Sequence, residues 1–172
     1  GGLAGDPYWR SHMDVWRHPI LSRHVPPHIL QPANVRRTQA PEEDFVDARS
    51  AAQALKLFRR GVNVSIGGHG QEEGLAAHWE LWSFVRGGFT PLEALRVGTI
   101  LPARKLGMER DIGSLEAGKL ADLVVLDANP LESIRNSDRI SSVMINGRLY
   151  DATTMNEIVT GNRIRAPYYW EQ

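Results

Sequence analysis

Eleven residues, Gly61 to Gln71 (GVNVSIGGHGQ), constrain this chain more than any other stretch. Val62, Val64 and Ile66 alternate with Asn63 and Ser65, the period of two that marks a short strand. Gly67, Gly68 and Gly70 then end the strand in a tight turn that residues carrying a Cβ do not easily make. His69 sits inside that turn, and a helical pattern from Glu72 to Arg86 follows at once. Strand, glycine turn, one polar residue, helix is how α/β folds present a functional group at the carboxyl end of a strand. The same order also serves as a plain strand-to-helix connection with a solvent-facing histidine, so the pattern alone leaves both readings open.

At 172 residues the chain is one ordinary domain or part of a larger one, and 42% apolar residues suffice for a core. Twenty basic residues balance twenty acidic ones, which leaves no electrostatic footprint for nucleic acid or an anionic membrane. The absence of cysteine excludes disulfides and thiolate chemistry, and leaves cytoplasm and bacterial periplasm equally open. No apolar run approaches the roughly 20 residues of a membrane span, as expected of a soluble chain. The opening Gly1-Gly-Leu-Ala-Gly5 reads as an interior sequence or a processed end.

Residues 1–40 hold Tyr8, Trp9, Trp16 and four histidines (His12, His18, His24, His28) among Pro7, Pro19, Pro26, Pro27 and Pro32. Prolines this dense forbid a long helix or a central strand. An irregular stretch of this length reads as a functional loop, and its aromatics and histidines suit an active-site lid or packing on a neighbouring surface. The histidine spacing matches no standard zinc pattern. Pro41 opens a helix with Glu42, Glu43 and Asp44 in its first turn; Phe45, Ala48, Ala52, Leu55 and Phe58 recur along it, and Gly61 ends it. In the next helix Leu75, Trp79, Trp82 and Arg86 form one stripe, the spacing of core residues. His78 and Glu80 point about 200° apart on that helix, so they cannot chelate one metal and at most one faces a site.

Thr90-Pro-Leu-Glu93 is a capping box, and a second helical piece over about Ile100 to Leu106 stops at Gly107. A turn-rich stretch, Ile112 to Gly118, leads to a buried strand at Ala121 to Asp127. Ile140 to Ile145 and Arg148 to Tyr150 read as a hairpin closed by Asn146-Gly147 in a primed turn. The tail offers a short helix at Thr153 to Ile158, and its aromatic Pro167 to Trp170 needs a surface to bury against.

Gly113-Ser-Leu-Glu-Ala-Gly-Lys-Leu-Ala-Asp-Leu-Val-Val-Leu-Asp127, then Asn129-Pro-Leu131, then Val143-Met-Ile-Asn-Gly-Arg148, strongly resemble the C-terminal signature of the amidohydrolase superfamily. Gly88 to Leu95 and Ala103 to Gly107 fit the last barrel helices of that family, in its imidazolonepropionase-like and prolidase-like branch. The resemblance implies a metal-dependent hydrolase: a TIM barrel with one or two divalent metals, zinc suiting the usual His and carboxylate ligands, at its C-terminal face. It also implies a small β-sandwich made from both chain ends. The fold class it implies here is α/β, a C-terminal fragment of a TIM-barrel amidohydrolase with the last barrel strand and helices plus part of the sandwich. Residues 1–110 are then barrel, with 1–40 the active-site loop after the seventh strand; 111–150 are sandwich and 151–172 a tail.

Two departures from the family pattern matter. The usual Gly-Thr-Asp at the end of the eighth strand is Gly67-Gly68-His69, so the resemblance puts His69 in the place of a metal ligand and proton acceptor, and neutral imidazole serves either task. The resemblance also places His12 and Trp16 on the substrate side of the loop. The first six or seven strands, with the other expected ligands, are missing, and one strand of eight closes no barrel. The expected partners are therefore the missing N-terminal barrel portion or further copies of the chain, and a small-molecule or peptide-like substrate with a carbon–nitrogen bond. Two other readings stand beside this one: an inactive truncated module that folds by self-association, and a small independent metallohydrolase using His69, His78, Glu80 and the loop histidines.

Overall fold

In chain order the described residues of the computed structural model (3, 5–30, 39–68 and 74–171) form helices α1 (Asp6–His12), α2 (Leu21–His24), α3 (Asp47–Arg59), α4 (Leu75–Arg86), α5 (Pro91–Gly98) and α6 (Ile100–Lys105). Strands β1 (Leu123–Leu126), β2 (Ile140–Ile145) and β3 (Arg148–Asp151) follow, with 3-10 turns at Val15–Arg17, Glu42–Asp44, Ile134–Asp138 and Tyr169–Glu171.

Helix α4 is the centre. Leu75, Ala76, Trp79, Leu81, Trp82 and Phe84 are buried, and so are Glu80 and Ser83, so the helix is enclosed on nearly every side. Helices α3 and α5 and the 3-10 turn at Ile134–Asp138 pack around it. The expected Trp stripe is core: Trp79 and Trp82 are each 1% exposed. At its C-terminal end Gly87 lies against α3 so closely that a Cβ there would stand 2.7 Å from the backbone of Ala51 and of Ala52. Glycine at that position is what lets the two helices meet. Phe89, just before α5, with Ala94 and Val97 of α5 and Leu101 of α6, closes the core.

The capping box forms as expected. Thr90 Oγ1 accepts from the Glu93 N–H at 3.3 Å, and the Glu93 carboxylate accepts from the Thr90 N–H at 2.9 Å. Arg59 of α3 reaches across to the same carboxylate in a two-pronged pair, and its hydrogen bonds are the main reason the Glu93 pKa is held down to about 2.

The sheet has the order β1-β2-β3 and is antiparallel throughout, with Val124 opposite Val143 and Val143 opposite Tyr150. Asn146 and Gly147 both have positive φ, 49° and 76°, the primed turn anticipated for this hairpin. The Asp122 carboxylate fixes it by accepting from the Asn146 N–H at 2.6 Å.

Several expectations are corrected. Val62 to Ile66 alternate as a strand does, yet residues 62–68 carry no strand. A strand exists through its ladder partners, and among the described residues none lies beside this segment. The helix does not begin at Pro41. Glu42–Asp44 make a 3-10 turn, Phe45 turns extended (φ −73°, ψ 127°) to meet Tyr8 edge-on at 5.3 Å, and the α-helix starts at Asp47. Residues 1–40 are not irregular where described. Pro7 sits in the first turn of α1, where its missing N–H costs nothing, and short helical pieces fill the spaces between prolines. The helix expected at Thr153 to Ile158 is absent because Asp151 Oδ1 accepts from the Thr153 and Thr154 N–H groups at 3.1 and 2.7 Å, which folds the chain into a turn and leaves Glu157 to bridge Tyr150. The share of a sandwich is a single three-stranded sheet among the described residues.

Candidate active site around the glycine turn

Segment 62–68 is held by helices. The Asn63 side-chain amide donates to the Leu101 carbonyl at 3.0 Å, and the Ile66 N–H donates to the Val97 carbonyl at 3.2 Å. Val64 and Ile66 pack against the core beneath. The segment then ends on Glu80: one oxygen, Oε2, accepts from the Gly67 N–H at 2.8 Å and the Gly68 N–H at 2.7 Å. Glu80 is 5% exposed, and Gly68 has a positive φ of 62°. His69, the residue singled out as catalytic and metal-binding, follows Gly68 by one peptide bond and lies outside the described residues, as does the first turn expected from Glu72.

Glu80 and His78 diverge as their spacing requires. His78 Nδ1 lies 3.0 Å from Ser137 Oγ, which also accepts from Trp82 Nε1 at 2.9 Å. Burial pushes the His78 pKa below its ordinary 6.5, with the nearby Asp138 carboxylate opposing, so His78 is neutral at neutral pH.

Three of the loop histidines, His12, His18 and His24, are engaged one by one, and His28 is exposed. His12 stacks on Tyr8 at 4.0 Å, bonds the Tyr8 carbonyl through Nδ1 at 2.8 Å, and sets Nε2 3.5 Å from Glu42. His18 Nδ1 accepts from the Leu21 N–H at 3.3 Å while Nε2 lies 3.8 Å from Asp138. His24 spans the Tyr168 hydroxyl (3.1 Å) and the Thr153 carbonyl (2.9 Å), which docks Tyr168 of the aromatic tail while Tyr169 stays 68% exposed. Trp16 is 43% exposed, with the Arg17 guanidinium over its ring at 4.6 Å. Nothing in these contacts joins His12 to Trp16 or either of them to Glu80. A cleft of about 470 Å³ opens between residues 13–23 and the sheet, lined by His18, Arg23, Asp127, Asp138 and Arg139 among others, and none of His12, Trp16 and Glu80 borders it.

Sequence reasoning missed the polar tie beneath the loop. Trp9 Nε1 donates to Ser83 Oγ at 2.9 Å, and Ser83 donates to Asp47 Oδ2 at 3.0 Å. Arg86 Nε stands 3.2 Å from the same Asp47 oxygen, while its guanidinium lies 3.4 Å from the centre of the Tyr8 ring. The tie fastens α1 to α3 and α4. No pattern in the sequence pairs Asp47 with Ser83 thirty-six residues on.

Among the described residues no three His, Asp or Glu side chains converge as metal ligands. The described residues therefore do not make up a complete metal centre by themselves, and His69, the remaining member of the independent-metallohydrolase reading, lies outside them.

Residues 24–150 match the amidohydrolase family. The 5-methylthioadenosine/S-adenosylhomocysteine deaminase of Moorella thermoacetica is 30% identical over 145 residues, covering 70% of this chain and 34% of that protein. Imidazolonepropionase of Shouchella clausii is 41% identical over 63 residues, 35% of this chain and 14% of its own length. Among solved structures, a Xaa-Pro dipeptidase with methionine bound in its active site aligns with a TM-score of 0.58 at 23% identity, over 87% of this chain and 33% of the dipeptidase, a likeness of fold. The chain thus spans about a third of the length of the deaminases it matches over most of its own. With the family match extending from α2 through β3, the chain belongs to the amidohydrolase family.

Proposed function

We propose that this chain is the C-terminal part of a metal-dependent hydrolase that cleaves carbon–nitrogen bonds in a small or peptide-like amide, and that it acts together with the preceding strands of a TIM barrel. The observation that carries the reading is the family match over residues 24–150, which takes in the glycine turn, helices α3 to α6 and the sheet. In that reading segment 62–66 pairs as the eighth barrel strand once its neighbour is present, residues 1–40 form the loop over the site, and 111–150 supply part of the sandwich. A divalent ion, zinc in this proposal, supplies an activated water and a polarised carbonyl. The chain's own contribution is His69, whose neutral imidazole offers one nitrogen donor or one proton acceptor. In this reading the part-exposed Trp16 and His12 contact substrate from the loop.

The test begins with intact-mass measurement on native-size material, then follows amine or ammonia release from proline dipeptides and adenosine derivatives with zinc added. A second polypeptide carrying the missing strands, turnover by the pair, and its loss in His69→Ala are the expected results. A single 19.2 kDa species without turnover, or full turnover in His69→Ala, overturns the reading.

One observation favours a second reading, an inactive module that folds by self-association: the sheet exposes Val124, Val125 and Ile145 with no cover among the described residues.

A further inference from the structure

We propose that Glu80 is the positioning residue of the glycine turn: its buried carboxylate anchors the Gly67 and Gly68 amides and so fixes the end of segment 62–68. Its bearing on catalysis rests on the reading above for the role of His69, but the anchor itself stands on separate geometry. Two successive backbone N–H groups, Gly67 and Gly68, converge on one oxygen at 2.8 and 2.7 Å. Successive amides aimed at one point form an anion-binding concavity, and here a side chain of the same molecule fills it. The distances are those of charge-assisted bonds, about twice as strong as neutral ones.

The placement is specific. Glu80 is enclosed on a helix whose neighbours Trp79, Leu81 and Trp82 are core, so its own backbone has no freedom to drift. A carboxylate in such surroundings is costly unless its charge is met, and the two glycine amides meet it. Glycine at 68 serves the conformation, since its φ of 62° is one that side-chain-bearing residues rarely adopt. The segment leading in is fixed at Asn63 and Ile66 by α6 and α5. Glu80 fixes its last two residues from α4, so three helices together hold segment 62–68. Among the described residues no other side chain bonds the Gly67 or Gly68 N–H. Glu80 touches no substrate in this scheme, and it acts through the turn.

The test uses the full chain and its Glu80→Ala, Glu80→Gln and His69→Ala variants, with amide hydrogen exchange of Gly67 and Gly68 followed by NMR. In Glu80→Ala both amides exchange at least about tenfold faster, the loss expected for bonds to a charged acceptor. The amides of α4 and α5 keep their rates. Glu80→Gln, which retains an acceptor oxygen of the same reach, restores most of the protection. Added formate slows the two amides again in Glu80→Ala by refilling the concavity with a carboxylate, a rescue that a packing role alone does not give. Unchanged exchange in Glu80→Ala overturns the proposal. So does faster exchange throughout α4 that formate leaves untouched, because Glu80 is then a stability residue only. His69→Ala keeps the protection of both glycines, so a failure of the catalytic reading for His69 is seen in turnover and leaves this result unaffected.

Discussion

Asp47 shows how much one side chain carries here. It is fully buried, accepts from Ser83 and faces the Arg86 guanidinium. Asp47→Ala leaves a buried hydroxyl without its acceptor and a guanidinium without its counter-charge, a loss of about 2–4 kcal/mol. Asp47→Asn keeps an acceptor oxygen but no charge, and costs about half as much. Urea unfolding of the two variants checks both the size and the order. His78 makes a second prediction at this scale. Its folded pKa lies below 6.5, chiefly through burial, whereas in the unfolded chain it returns to 6.5. Above 6.5 both states are neutral and the stability is intact. Below 6.5 the unfolded chain takes up a proton that the folded chain refuses, so stability falls as pH drops from 6.5 toward the folded value, by at most about 1.4 kcal/mol per pH unit. His78→Asn, which still bonds Ser137, is expected to flatten that stretch of the stability–pH curve. Equal slopes for the two proteins between pH 6.5 and 5 would contradict the assignment. At this scale the sequence was legible where a rule is local. The divergence of His78 from Glu80 follows from helical spacing alone, and the structure sends one to Ser137 and the other to the glycine turn. The partners themselves were not legible, because 59 residues separate His78 from Ser137 and no spacing rule spans such a distance.

Helices and turns were read well where their ends carry their own chemistry. Thr90 with Glu93, and Asn146 with Gly147, state their geometry in two to four residues, and both motifs form. Elements whose limits depend on distant contacts were misplaced. Phe45 breaks the helix expected from Pro41 because it packs on Tyr8, a residue thirty-seven positions earlier that no local rule connects to it. Segment 62–66 has the alternation of a strand but needs a neighbour to be one. The crossing of α3 and α4 yields the prediction at this scale. Gly87 has an ordinary φ of −83°, so its backbone conformation suits any residue, and only space restricts it. A methyl group there meets the backbone of Ala51 and Ala52 at 2.7 Å, which a side-chain rotation cannot relieve. Gly87→Ala should destabilise the chain by about 1–3 kcal/mol or more, even though alanine is the better helix former. Thr90→Ala, which only uncaps α5, should cost about 1 kcal/mol. Thermal melts of the pair separate a steric fault from a capping fault, and a Gly87→Ala melt at or above that of the parent would mean that the two helices are free to part.

For the whole molecule, the sequence disclosed the family through its C-terminal motifs, while the site stayed incomplete: in the proposed reading a barrel site collects its ligands from several strands, and His69 is the one position this chain would offer. The same incompleteness is written on the surface of the sheet. Val124, Val143 and Tyr150 lie opposite one another across the three strands, and Ile145 falls two residues along on the same side as Val143. Ile145 is 58% exposed, and a hollow of about 390 Å³ runs between Ile20, Ile140, Val143, Ile145 and Met155. Its lining is almost wholly apolar, a surface that water wets at a cost and that a second apolar surface relieves. The chain purified alone should therefore sediment as a species heavier than 19.2 kDa at tens of micromolar. Ile145→Lys places a charge on the uncovered face, where the side chain already reaches solvent, so it should shift the distribution toward monomer while leaving the melting temperature within a few degrees. If Ile145→Lys associates as the parent does, the sheet is not the contact, and the interface must be sought along the unpaired flank of segment 62–68. In the proposed reading that flank pairs with a preceding barrel strand, so covering it with a polypeptide that carries such a strand should dissociate the homo-oligomer and install the strand in a single step.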